Sequence, residues 1–183
     1  MRVSLAAAVA VAALGWTSGA IAQESLQPFE FKQLNTKLTL QEALQAKLVE
    51  RCYPSNFNGI PIQTCSTTAK IARSGIAGYE MYGEFVSFDD VGLVTYKTAF
   101  LPSGLATIGA AFEAKYGAPC TAENSTLQNK FGATFDQTTR AWCFADGQLQ
   151  LKRYSERNLQ RSSVDFIARR LADRKPPTPP VNF

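Results

Sequence analysis

The spacing of apolar residues predicts a first helix in the stretch LTLQEALQAKLVERC. Leu40, Leu44 and Leu48 fall on one face of that helix. Thr39 stands at the N-cap position and Glu42 follows three residues later, which is the spacing of a capping box. The pattern therefore predicts an amphipathic helix that begins after Thr39.

A second stretch, LPSGLATIGAAFEAKYGAPC, repeats this plan. Ser103 is the predicted N-cap, and Gly117 is the predicted left-handed residue that ends the helix. The apolar positions between them are Leu105, Ile108, Phe112 and Tyr116.

Extended segments follow each predicted helix. In the first half they are GIPIQTC, AKIA, IAGYEMYGEFVSF and GLVTYKTAF, and in the second CTAENSTLQN, FGATFDQ, RAWCF and GQLQLKRY. The segment SSVDFIARRLADRK favours a helix capped by Ser163, with Arg170 and Arg174 together in solvent, although a last strand through Val164 and Phe166 also fits. The fold class is therefore α+β, with two similar helix-plus-antiparallel-sheet units in tandem.

Two hairpin phrases, FDDVGLVTYK and FADGQLQLKRY, support the tandem repeat. When Gly92 is aligned with Gly147, the apolar positions of the following strands coincide. The matched pairs are Val94 with Leu149 and Tyr96 with Leu151. We expect each glycine to supply the positive φ of a tight hairpin. Two independent hairpins would give the same pattern.

The helix run LTLQEALQAKLVERC, the helix end AFEAKYGAPC and the hairpin WCFADGQLQLKRY resemble small bacterial envelope proteins. These have the architecture of the β-lactamase inhibitor protein and of the small outer-membrane assembly lipoproteins. The resemblance covers most of residues 30–155 and implies protein binding through sheet and loops. The chain departs from the assembly lipoproteins because it lacks a lipid-accepting cysteine near the predicted cleavage point.

The two ends of the chain differ in composition from its middle. Residues 1–22 have Arg2, an apolar run over 3–14 and small residues before Gln23, which predicts a cleavable signal peptide. That run is shorter than the roughly 20 apolar residues that span a bilayer, so we expect no transmembrane segment in the mature chain. Residues 23–101 and 102–175 are the two predicted units, and 176–183 is a predicted disordered, proline-rich tail. The expected location is periplasmic or secreted.

Four cysteines, an even number, favour two disulfides in an exported chain. Three pairings are possible, and we predict Cys52 with Cys65 and Cys120 with Cys143, since each closes one modest loop within one half. A metal site is not expected, because the chain has no histidine and no CxxC motif. We expect no cofactor.

Catalytic motifs are scarce. The absence of histidine excludes Ser-His-Asp and Cys-His mechanisms, and no nucleotide-binding fingerprint occurs. Glu80, Glu84, Asp89 and Asp90 lie close together in sequence and keep a carboxylate-dependent hydrolase as an alternative. Strand alternation, however, predicts that both glutamates face water, and both aspartates suit a turn. We therefore expect a protein that is not an enzyme.

Basic residues concentrate near the C-terminus, where residues 150–175 hold eight basic and three acidic side chains. Such a patch attracts anionic lipid, polysaccharide or an acidic protein face, although it also suits a merely solvated surface. Nucleic acid is not an expected partner. The candidate binding residues of this patch are Arg153, Arg157, Arg161, Arg170 and Arg174.

A second candidate surface is the aromatic group Tyr79, Tyr82 and Phe85, which suits either a protein interface or cross-strand packing. Together these features predict an exported, non-catalytic protein-binding module of the bacterial envelope, of adaptor or inhibitor type. Its expected partner is another envelope protein. Recognition of an anionic envelope component and hydrolysis are the alternatives.

Overall fold

The structure is a computed structural model that describes residues 27–128, 131–155 and 158–174. The described chain is mostly antiparallel sheet with few helices and two disulfides. The predicted signal peptide, the predicted proline-rich tail and Arg157 lie outside the described residues.

One antiparallel sheet of eight strands dominates the fold. Its strands from the first half of the chain are β3 (Val49–Phe57), β4 (Ile60–Thr67), β5 (Tyr82–Phe88) and β6 (Leu93–Phe100). Those from the second half are β7 (Thr121–Gln128), β8 (Thr134–Phe144), β9 (Gly147–Lys152) and β10 (Ser162–Ala168). The spatial order is β3-β4-β5-β6-β10-β9-β8-β7, so β10 lies at the centre between β6 and β9.

A small hairpin and a few short helices complete the described chain. The hairpin consists of β1 (Glu30–Phe31) and β2 (Leu34–Asn35), and a 3₁₀ turn covers Pro102–Gly104. The helices are α1 (Leu40–Gln45), α2 (Ala69–Ala72), α3 (Leu105–Tyr116) and α4 (Arg169–Ala172).

Local sequence signals at the helix ends are mostly confirmed. Thr39 and Glu42 form the predicted capping box at the start of α1. Gly117 ends α3 with a φ of 84°. The predicted cap Ser103 is wrong, because it lies inside the 3₁₀ turn and Gly104 occupies the N-cap position of α3.

The first helix is shorter than its apolar spacing predicted. It ends at Gln45, and the chain then turns at Lys47, whose φ is 52°. Leu44 is consequently exposed, and Leu48 is buried beyond the helix. One strand assignment is wrong, because AKIA is helix α2. FGATFDQ, from Thr134 onward, and RAWCF are extended as predicted, but they belong to one strand, β8.

The predicted C-terminal helix is wrong over most of its length. Ser162–Ala168 forms β10, and only Arg169–Ala172 is helical. Val164 and Phe166 are buried at the two-residue spacing of a strand, because β10 is paired on both edges. The alternative of a last strand through these two residues is therefore confirmed.

Residues 27–38, which we call the N-terminal strap, supply aromatic side chains to the core. Phe29 stacks on Phe166 with ring centroids 3.7 Å apart and meets Phe144 edge-on. Phe31 packs against Tyr96 and Phe112. The strap and α3 therefore cover the same face of the sheet.

The two faces of the sheet differ in character. The core face is apolar, and one row across it comprises Cys65, Val86, Tyr96, Phe166, Leu149 and Trp142. Because neighbours along a strand point to opposite faces, the residues between them form a second face. We call it the polar face, and one row across it comprises Ser66, Phe85, Lys97, Asp165, Gln150 and Ala141.

Glycine is required at positions 92 and 147 because the backbone of another segment packs closely against each, and not because of the φ angle. Neither has a positive φ, so that expectation is wrong. A Cβ at Gly92 would lie 2.6 Å from the carbonyl oxygen of Thr36, and one at Gly147 would lie 2.5 Å from that of Ile167. The aligned positions that follow them, Val94, Leu149, Tyr96 and Leu151, are all buried.

Both predicted disulfides are confirmed. Cys52 and Cys65 are direct cross-strand partners on β3 and β4. Cys120 and Cys143 join the chain just before β7 to the end of β8. Each bond therefore lies within one half of the sheet.

Candidate functional site

Two adjoining clefts lie at the β3–β5 end of the sheet. The larger, about 480 Å³, has Tyr53 and Phe85 among its lining residues and Glu84 and Thr67 beside them. We call it the Tyr53–Phe85 cleft. The second, about 380 Å³, contains Tyr79 and shares Ala72 and Met81 with the first.

Strand register places the aromatic side chains of the larger cleft on the polar face. Tyr53 is paired with Thr64, and Phe85 is paired with Ser66 and Lys97. Tyr53 is 50% exposed and Phe85 is 40% exposed. Two aromatic rings on the same face of the sheet therefore remain accessible to solvent.

The three predicted aromatic residues occupy related but different positions. Tyr82 is 37% exposed, and the guanidinium of Arg161 lies 3.8 Å from its ring centroid. Tyr79 is partly buried, and its hydroxyl donates to the carbonyl oxygen of Ser103. Only Phe85 of the three lines the Tyr53–Phe85 cleft.

A buried ion pair lies below the cleft. The Glu84 carboxylate accepts hydrogen bonds from Lys32 Nζ and the Tyr96 hydroxyl, both at 2.6 Å, and from Thr67 Oγ1 at 3.2 Å. The prediction that Glu84 faces water is therefore wrong, since its side chain is 1% exposed. Burial, together with the charge of Glu84, raises the pKa of Tyr96 well above its ordinary value, so this hydroxyl remains a donor.

Local backbone geometry brings Lys32 to this carboxylate. Lys32 and Gln33 both have positive φ, 51° and 67°, in the two-residue turn between β1 and β2. Turns of this kind favour Asn-Gly, so the Lys-Gln pair gave no sequence signal. Lys32 and its contact with Glu84 were accordingly missed.

A second ionic cluster joins α4 to the turn after β5. Asp89 accepts from the N–H groups of Val91 and Gly92, which confirms its predicted turn chemistry. Arg170 and Arg174 also contact this carboxylate. The expectation that both arginines point into solvent is therefore wrong.

The remaining predicted basic residues are distributed among separate contacts. Arg153 lies over the ring of Tyr154, and Arg161 lies over Tyr82. Asp90 is exposed at the edge of the Asp89 cluster, and Glu80 lines the smaller cleft.

Within the described ranges, no group of three or more Cys, Asp or Glu side chains has the arrangement of a metal site. None of the helices in those ranges is long and apolar enough to cross a membrane. The two disulfides suit an oxidising compartment outside the cytoplasm.

Comparison with known proteins gave no match to a protein family, a curated protein or a solved structure.

Proposed function

We propose that this chain is an exported, non-catalytic protein-binding module of the bacterial envelope, of adaptor or inhibitor type. The observation that carries the proposal is the exposure of Tyr53 and Phe85 on the polar face of a broad sheet. Aromatic side chains are enriched among the residues that dominate protein interfaces. The proposed partner is another envelope protein.

The chemistry around the two rings suits a protein surface. Arg51 contributes a largely exposed guanidinium to the same cleft, and Lys97 lies beside Phe85 on β6. Rings flanked by cations provide apolar anchors with a charged rim, which is the usual anatomy of an interface. Tyr82, covered by Arg161, extends this surface toward β10.

We also propose that β3–β6 and β7–β10 are two copies of one unit. The strand order is mirrored about the contact between β6 and β10, and each half has its own disulfide. The two aligned hairpin phrases do not correspond in this arrangement, because Gly92 precedes the fourth strand of its unit and Gly147 begins the third strand of its own. The resemblance to the β-lactamase inhibitor protein architecture implies this arrangement and binding through the sheet.

Binding is favoured over hydrolysis because of the environment of the carboxylates. Glu84 is held by Lys32, and Asp89 by Arg170, so both carboxylates are engaged in ion pairs within the fold. Recognition of an anionic component is less well supported, since Arg161 and Arg170 are engaged within the protein.

The test is photo-crosslinking in the native envelope with a photoreactive phenylalanine analogue at position 85. The control carries the same analogue at Val91, which is exposed in the turn between β5 and β6. We expect one recurrent protein partner at position 85 and none at 91. Cross-links to no consistent protein, or the same proteins from both positions, would contradict the proposal.

Affinity for the identified partner then tests the individual rings. Phe85→Ala and Tyr53→Ala should each lower affinity by roughly 30-fold, the effect of losing an interface hot spot. Both residues are substantially exposed, so thermal stability should change little. Binding that instead weakens steeply with salt and ignores both substitutions would favour the anionic ligand.

A further inference from the structure

The two edges of the eight-stranded sheet are protected to different degrees. A strand edge presents backbone N–H and C=O groups that can pair with another chain, and proteins block such edges with proline, bulges or charges. β3 forms one edge and β7 the other in the described part of the chain. The chemistry of these two strands indicates which edge is open to a partner.

The β3 edge carries several blocking features. Pro54 lacks a backbone N–H and stands in the middle of the strand. The register shifts between Glu50 and Cys52, and Arg51 there has a φ of 46°. A further strand cannot form an uninterrupted ladder along this edge.

The β7 edge has no such interruption. All eight residues from Thr121 to Gln128 pair with β8 in one continuous register. The strand contains no proline, and Glu123 is its one charged residue. Its side chains are exposed apart from the partly buried Leu127. The alternate N–H and C=O groups that do not pair with β8 point away from the sheet.

We propose that β7 is a homodimerisation edge, to which the β7 strand of a second copy pairs in the antiparallel direction. A two-fold axis perpendicular to the sheet relates the copies and keeps their helices on one face. Such an axis places either Asn124 or Ser125 opposite its own counterpart. The dimer would have a continuous sheet of sixteen strands.

The β7 sequence suits a second copy as the occupant. With the axis at Asn124, Glu123 is opposite Ser125 of the other copy, and with the axis at Ser125 it is opposite Leu127. Neither register places two glutamates directly opposite each other, and the central side chains are small and polar. The edge is therefore self-complementary without a direct charge clash.

This inference goes beyond the proposed function and does not depend on it. The Tyr53–Phe85 cleft involves β3, β4 and β5, at the opposite side of the sheet from β7. A β7 dimer leaves both clefts accessible at the outer ends of the assembly. One dimer would then present two copies of the candidate site.

Sedimentation velocity of the full mature chain tests the proposal. The protein concentration should cover about 10 µM to about 1 mM, because dissociation constants in this range are expected for an interface made mainly of backbone hydrogen bonds. We expect concentration-dependent dimerisation. Hydrogen exchange should show alternate β7 amides becoming protected as the dimer forms. A monomer over the whole range would overturn the proposal.

Paired substitutions identify the edge. Neighbouring residues of β7 direct their N–H groups to opposite sides of the strand. One of the variants Asn124→Pro and Ser125→Pro therefore removes an N–H that points outward, and the other removes a hydrogen bond to β8. The variant that keeps the parent melting temperature should raise the dimer Kd about tenfold or more. If both prolines unfold the protein, Asn124→Lys and Ser125→Lys replace them, and the one at the axis should weaken dimerisation through repulsion.

The matched control is Asn56→Lys on the β3 edge, which should leave the dimer unchanged. A dimer that is insensitive to all β7 variants, or sensitive to Asn56→Lys, would overturn the assignment to β7.

Discussion

Arg170 holds the carboxylate of Asp89 through two hydrogen bonds, with its Nε 3.1 Å from Oδ2 and its Nη2 3.2 Å from Oδ1. The same guanidinium donates to the carbonyl oxygens of Thr36 and Leu93. One side chain of α4 therefore ties together the turn after β5, the start of β6 and the N-terminal strap. These segments are far apart in sequence, so the contact stabilises the tertiary fold.

Asp89→Asn should lower the free energy of unfolding by about 2–4 kcal/mol, because it removes the charge that pairs with the partly buried Arg170. Asp90→Asn is the matched control, since Asp90 is exposed, and its effect should be within about 0.5 kcal/mol. Urea denaturation measures both. Equal effects of the two substitutions would show that burial of Asp89 carries no energetic weight.

The stabilisation from Asp89 should depend on pH. Burial raises its pKa, but the hydrogen bonds from Arg170, Gly92 and Val91 outweigh burial, so the pKa lies below its ordinary value. A carboxyl with a lowered pKa in the folded state contributes stability above its pKa in the unfolded chain, near 4, and loses it as the pH falls through the folded value. The difference between the parent and Asp89→Asn should therefore shrink below about pH 4. A constant difference between pH 3 and pH 7 would contradict this.

Glu84→Gln should lower the free energy of unfolding by about 3–5 kcal/mol, because it leaves the Lys32 ammonium buried without its counter-charge. Lys32→Met in the same chain should recover part of that loss. A double-mutant cycle measures the coupling. Additive effects would contradict the prediction, because they would show that Glu84 and Lys32 are not energetically coupled.

Gly92→Ala should destabilise the fold by more than 2 kcal/mol, because the new methyl group collides with the backbone carbonyl of Thr36. Gly109→Ala in α3 is the contrast. Its methyl group would meet no backbone atom within 4 Å outside the helix, only the ends of the Arg140 and Leu151 side chains at 3.3 and 3.4 Å. Because alanine favours a helix by about 1 kcal/mol over glycine, we expect Gly109→Ala to be neutral or stabilising. Thermal unfolding of both variants checks this ranking.

Removal of either disulfide by a Cys-to-Ser pair should cost about 2–4 kcal/mol. Cys52–Cys65 closes a loop of 13 residues, and Cys120–Cys143 closes a loop of 23 residues. Loop-closure entropy makes the second more stabilising by about 0.5 kcal/mol. Chemical denaturation of the two double variants tests this order, and a larger loss from Cys52–Cys65 would show that other contributions dominate.

Features encoded within a few residues were predictable from sequence. The capping box at Thr39, the end of α3 at Gly117 and the pairing of the cysteines depend on short-range spacing or on parity, and all are confirmed. The exposed ring of Phe85 could be proposed from composition, but its cleft could not. Tyr53 joins it only because β3 and β5 both pair with β4.

Features set by distant contacts were missed. The spacing of apolar residues in 162–168 fits both a helix and a strand. Only the pairing of this segment with β6 and β9 decides for the strand. Glu84 was predicted to face water, yet it lies on the core face two residues before Val86 and is paired there with Lys32 from the strap. The burial of a charged residue cannot be predicted from the sequence until the oppositely charged residue that pairs with it is known.

The central position of β10 has a consequence for biosynthesis. The two strands that flank it, β6 and β9, leave the ribosome earlier, and each lacks a neighbour until β10 is made. Phe29, near the beginning of the described chain, stacks on Phe166 of that same late strand. The core thus closes only after the early and late parts of the chain have met. Folding that depends on contacts between such distant parts of a chain is slow, so the two flanking strands keep unpaired edges for longer than they would in a sheet of sequential hairpins.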